Sequence, residues 1–177
     1  MNWQETRSKL VQLGFNPPLE WERRMKLTAQ GPVDLTEADL GGAYLAGLDL
    51  RGCNFRKANL RKANLNGANL SGSFFEGANL SKADLSEANL NGAQLQGCNA
   101  SEADFSHAIL TNALLNEAFL DEANFSGANL QDTNLQGASL FEANLNGADL
   151  RDANLSGVKG FIAPSGRGSG AGKELLG

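Results

Sequence analysis

Leu or Phe stands at every fifth residue from Leu35 to Leu155, with one exception, Ala100. Around each of these centres the small and polar residues fall in the same order, roughly Ala-(Asn/Asp)-Leu-x-x, as in A-N-L-R-K, A-N-L-N-G and A-N-L-S-G. A period of five excludes one long α-helix, because each step of five turns about 140° past a full turn and the leucines would spiral round the surface. It also excludes one long strand. Five is odd, so successive leucines would face opposite sides. The pattern is satisfied if the chain bends once per unit. The centre and the residue two before it then point inward, the residue just before the centre points outward, and the remaining two make a corner.

The residue types agree with that assignment. The position two before the centre is Ala at 19 of 24 sites from Ala38 to Ala153, the others being Leu48, Cys53, Ser73, Cys98 and Thr133. An interior crowded with Leu and Phe has room only for such small neighbours. The position just before the centre is Asn or Asp at 18 of 25 sites, which suits an outward residue that bonds to turn backbone. The second corner residue is Gly at 12 of 25 sites, as expected where a turn needs positive φ.

In these units the chain resembles the pentapeptide repeat family, whose consensus is A-(D/N)-L-x-x. The resemblance covers residues 33–158. It implies an all-β fold, a right-handed quadrilateral β-helix with four pentapeptides per coil and, at 20 residues a coil, about six coils. Residues 20 apart then share a column, which stacks Phe55 on Phe75 and Phe105 on Phe125. A three-sided coil does not place both pairs in single columns.

Residues 1–32 leave the repeat. Trp3, Leu10 and Val11 fall near helical spacing, and Asn16-Pro17-Pro18 opens a second stretch in which Trp21 and Met25 share a helix face. Two short amphipathic helices capping the first coil are expected here, since an open β-helix end exposes apolar side chains and unpaired edges. Beyond Leu155, Val158, Phe161 and Ile162 are the apolar residues available to cap the last coil or meet a second copy, giving a monomer or a homodimer through the C-terminal end. Residues 159–177 are rich in Gly and Ser and are expected to form a flexible tail.

Charge and chemistry narrow the function. Net charge is −5, which argues against direct nucleic-acid binding by a basic surface. Arg51, Arg56, Lys57, Arg61 and Lys62 crowd the early coils, whereas from Glu76 to Asp149 there are eleven acids against one base, Lys82. One column, Lys62, Lys82, Glu102, Glu122, Glu142, changes sign midway. The opening residues lack a signal-peptide pattern and no apolar run spans a membrane, so a cytoplasmic protein is expected. No catalytic, cofactor or metal constellation emerges. His107 sits at a corner, and the G-A-G-K of the tail lacks a phosphate-loop pattern. Cys53 and Cys98 occupy inward slots on different faces and are expected to be buried, unpaired and inert.

The sites where the Asn/Asp pattern lapses to an outward apolar residue are Tyr44, Phe74, Ile109, Leu114 and Phe119. These, with Glu102, Glu122 and Glu142, are the candidate partner-binding residues. The expected function is a non-enzymatic scaffold or protein-binding module on a rigid rod. The alternative, implied by the family resemblance, is a DNA-mimicking modulator of a type II topoisomerase, DNA gyrase.

Overall fold

The structure, a computed structural model, describes residues 32–161. The helices expected within residues 1–32 and the tail expected over 159–177 lie largely outside those residues. Among the described residues there is no helix. Every paired residue joins one 20 positions on, always in parallel, from Asp34↔Asn54 through to Ser139↔Lys159. The coil therefore closes every 20 residues and has four sides, one per five-residue unit. We name the sides after four successive centres, Leu80, Leu85, Leu90 and Leu95.

Each unit binds its neighbours by the same set of backbone bonds. Leu60 N–H donates to Asn79 O (2.7 Å), Lys62 N–H to Ser81 O (3.0 Å) and Asn59 N–H back to Ala38 O (2.9 Å). A fourth bond, Ala63 N–H to Leu60 O (2.9 Å), closes the turn. The second corner residue has positive φ while the first does not, which is the signature of a type II turn. Sequence reasoning tied this geometry to glycine. In the structure thirteen non-glycine residues adopt it too, with φ of 56–60°. Each such residue strains an L side chain. The corner is imposed by the intercoil ladder, because its N–H is already committed to the next coil, as Lys62 shows.

The inward positions form one continuous core. Leu40 to Leu155 at the centres and Ala38 to Ala138 between them are buried, and Ala100 is fully covered like its neighbours. The phenylalanine columns stack as expected, with ring centroids 4.9 Å apart for Phe55–Phe75 and 4.8 Å for Phe105–Phe125. Those distances are the coil spacing itself, equal to the separation of paired strands. The two buried hydroxyls are satisfied: Ser73 Oγ donates to Leu50 O (2.8 Å) and Thr133 Oγ1 to Leu110 O (3.0 Å).

At the C-terminal end the next centre would be residue 160, which is glycine. Gly160 has φ of 70°, and a Cβ there would lie 2.6 Å from Phe141 Cγ and 2.7 Å from Phe141 Cα. The chain leaves the repeat beneath the Phe141 ring, and Val158 and Phe161 pack partly buried against the core. Ile162 lies outside the described residues.

Candidate functional site

The outward Asn/Asp residues have a structural duty that explains where they lapse. At all eighteen sites the side-chain oxygen accepts the N–H of the first corner residue, two positions on. Ser81 N–H donates to Asn79 Oδ1 and Ser86 N–H to Asp84 Oδ1, each at 3.0 Å. These Asx turns satisfy the one backbone donor of each unit that the ladder leaves over. Tyr44, Phe74, Ile109, Leu114 and Phe119 have no such acceptor in reach, and Gln94 and Ser139 do not use theirs in this way. At Ser139 the loss is repaired from below, because Asp121 Oδ1 accepts both Ser139 Oγ and the Phe141 N–H.

The apolar lapses divide into two groups. Tyr44, Ile109 and Phe119 stand out in solvent, 46%, 44% and 54% exposed. They lie on the Leu85, Leu90 and Leu80 faces respectively, so they do not meet in one patch. Phe74 and Leu114 are half-buried on the Leu95 face, in one column with Gln94 between them. The Arg56 guanidinium lies 4.4 Å from the centre of the Phe74 ring and pairs with Glu76 Oε1 at 2.7 Å. Phe74 is thus occupied within the molecule, unlike the solvent-facing apolar lapses.

Phe141 was missed by sequence reasoning. It is 55% exposed and occupies a first-corner position on the Leu80 face. The available signal was that no other first-corner residue from Thr36 to Ser156 is a large apolar one. Phe119 and Phe141 belong to successive coils of the same face. Beside them runs the column of Glu102, Glu122 and Glu142, all exposed. Its sign change is bridged by an ion pair, Lys82 Nζ to Glu102 Oε2 at 3.0 Å. At the basic end Arg51 pairs with Asp49 (2.7 Å), whose carboxyl the guanidinium holds below its usual range.

The groups considered for catalysis are placed apart. His107 is an exposed corner residue whose ring lies over Gly127. Cys53 and Cys98 are buried free thiols, and burial pushes them up to about 11 and about 12. Such thiols are poor nucleophiles. Among the described residues no group of three or more His, Cys, Asp or Glu side chains could hold a metal ion, and no helix is long and apolar enough to cross a membrane. A shallow open groove runs along one corner between Asn116, Glu117, Gln136 and Ser156, where Gly137 and Gly157 lack side chains.

Comparison with known proteins agrees with this architecture. The description of a pentapeptide repeat region matches residues 48–125, and that of pentapeptide repeats (8 copies) matches residues 118–157. No curated protein matches the chain. Among solved structures it is similar to HetL, a pentapeptide repeat protein involved in heterocyst differentiation regulation from the cyanobacterium Nostoc. The identity is 37% over 73% of this chain and 62% of HetL, with a TM-score of 0.48. It is similar to a pentapeptide repeat protein of the Arabidopsis thaliana thylakoid lumen, at 34% identity over 56% of this chain and 66% of that one, TM-score 0.46. It is also similar to QnrB1, a plasmid-mediated fluoroquinolone resistance protein, at 23% identity over 72% and 79%, TM-score 0.34. The chain thus spans just under two thirds of HetL and of the Arabidopsis protein. The unbroken five-residue units, the return every 20 residues and the two family matches lead to one conclusion: the chain belongs to the pentapeptide repeat family, whose fold is the right-handed quadrilateral β-helix.

Proposed function

We propose that the protein is a non-enzymatic protein-binding module, a rigid rod of about six coils at 20 residues each that works in the cytoplasm and presents side chains in fixed columns. One observation carries this reading. At Tyr44, Ile109 and Phe119 the chain gives up an Asx turn and receives no core burial in return, since each side chain stands in solvent. About half of each side chain stays in water, so the fold gains much less from these residues than from a core position. A partner that covers them gains from the remainder, and a β-helix whose surface is already ordered loses little conformational freedom on binding. Family membership agrees, because pentapeptide repeat proteins are generally structural or binding proteins rather than enzymes.

The test is a pull-down from lysate of the source organism with the purified chain as bait, followed by mass spectrometry. Specific proteins above background are expected. A bait that retains nothing, although Tyr44 and Ile109 are accessible to solvent, contradicts the reading.

A second reading rests on the charge of the later coils, where eleven acids face one base between Glu76 and Asp149. Such a rod offers a regular acidic surface to a protein that normally grips duplex DNA, DNA gyrase among them. Titration into a gyrase supercoiling assay tests it. Inhibition or protection at micromolar protein supports it, and no effect removes it.

A further inference from the structure

The Leu80 face and its two bordering corners carry a charge pattern that is complementary to itself. We propose that this face binds a second copy of the chain, laid antiparallel about a two-fold axis that crosses the face midway between the coils of Lys82 and Glu102.

The geometry follows from the columns. When two flat faces meet about a two-fold axis perpendicular to the rod, each column lies against the same column of the other copy, run in reverse. Placing the axis between Lys82 and Glu102 sets Lys82 against Glu102 of the second copy and Lys62 against Glu122. The first-corner column then opposes Arg61 to Asp121. On the far side of the face, the corner column opposes Lys57 to Glu117. No pair of like charges arises in any of these columns. Moving the axis by half a coil sets Lys82 against its own copy in one direction and Glu102 against its own copy in the other. A parallel arrangement, about an axis along the rod, swaps the two bordering corners and sets Lys57 against Lys62 and Glu117 against Glu122, while Lys82 and Glu102 meet only Gly77 and Gly97. The sign pattern therefore selects one orientation and one register.

Shape agrees with charge. In the same register the exposed Phe141 falls opposite Gly41 and beside Gly42, both exposed, and a Cβ on Gly42 would meet nothing within 4 Å. The Phe119 ring falls opposite the small polar Asn59. The charged partners Lys57, Arg61, Lys62, Lys82, Glu102, Glu117 and Glu122 are exposed and can reach across, while Asp121, the partner of Arg61, is half-buried with its Oδ1 already accepting from Ser139 Oγ and the Phe141 N–H. The existing Lys82–Glu102 ion pair becomes one half of a four-charge cluster of alternating sign. From Gly41 to Phe141 the strip is five coil spacings, about 24 Å long, and one side of the coil wide. Such an area is below the roughly 800 Å² per partner of a standard interface, so the association is weak and governed by charge.

Sedimentation velocity of the purified full chain tests this, at about 20 mM and about 500 mM salt, with Lys62→Glu and the swap Lys62→Glu/Glu122→Lys. Glutamate already occupies the same corner conformation at Glu102, so these variants keep the fold, which circular dichroism verifies. The expected results are a dimer at low salt, at least tenfold weaker association at high salt, a comparable loss in the single variant and recovery in the swap. A monomer at about 100 µM in low salt overturns the proposal, as does a dimer that ignores the reversal or is not restored by the swap. The pairing uses Phe119 but leaves Tyr44 and Ile109 free on other faces. Its failure on the purified chain therefore leaves the protein-binding reading to be judged by capture from lysate.

Discussion

Leu90→Ala probes the inward assignment at a central coil. Leu90 is fully buried, with Leu70 and Leu110 in the same column below and above it. The substitution removes three carbons, worth about 2.4 kcal/mol of transfer at 0.8 per methylene. The remaining question is whether the site can collapse. Leu90 N–H is held by Ile109 O of the next coil at 2.7 Å, and the adjoining Asn89 N–H donates to Ala68 O of the preceding coil at 2.9 Å. The backbone is clamped from both adjacent coils, so most of the cavity persists and adds roughly 1–2 kcal/mol. The expected loss is about 4 kcal/mol, near the upper part of the range for such changes. Urea unfolding followed by circular dichroism measures it, with m compared between variants to detect any breakdown of cooperativity along the repeats. Ala88→Leu is the complementary perturbation. Ala88 is fully buried and its slot has no room, so overpacking costs about 1–3 kcal/mol. Losses below about 0.5 kcal/mol for both would refute the inward assignment of these positions.

Three further outcomes are expected. Ile109→Asn restores the Asx acceptor for the Thr111 N–H and completes an Asn column, so stability rises by about 0.5–1 kcal/mol in the same urea assay. Gly160→Ala forces a Cβ against Phe141 at a positive φ, so the last coil opens and the Leu140 amide, bonded to Lys159 O at 2.8 Å, exchanges faster with solvent. The thiols of Cys53 and Cys98 hold their protons to about 11 and about 12 in the fold, against 9.0 for an ordinary thiol, because burial penalises the thiolate. The unfolded chain releases those protons first, so stability falls as pH rises above 9. A Cys53→Ala/Cys98→Ala variant should flatten that fall between pH 9 and 11, read as the urea midpoint across the pH series.

Much of this molecule was legible in the sequence because one unit, repeated, carries its own geometry. The Leu/Phe period implied the bends, the family resemblance implied the 20-residue column, and the stacking of Phe55 over Phe75 and Phe105 over Phe125 that follows from it is found in place. Three things were not legible. The positive φ of corners such as Glu87 and Glu117 comes from the ladder between coils, a non-local constraint that residue type does not advertise. Phe74 read as an exposed lapse, but Arg56 two residues past its neighbour Asn54 covers its ring, a contact that depends on rotamer and on adjacent coils. Phe141 was not legible because the first-corner position tolerates many residue types, whereas the Asn/Asp pattern before each centre makes lapses there visible.

The central claim is that the solvent-facing apolar lapses exist for contact with another protein. Quantitative mass spectrometry of proteins captured from source lysate, comparing the natural chain with a Tyr44→Asn/Ile109→Asn variant, tests it most directly. The account predicts a defined set of proteins on the natural chain, depleted at least tenfold on the variant, although the variant is the more stable rod. An identical capture profile for the two baits would contradict it.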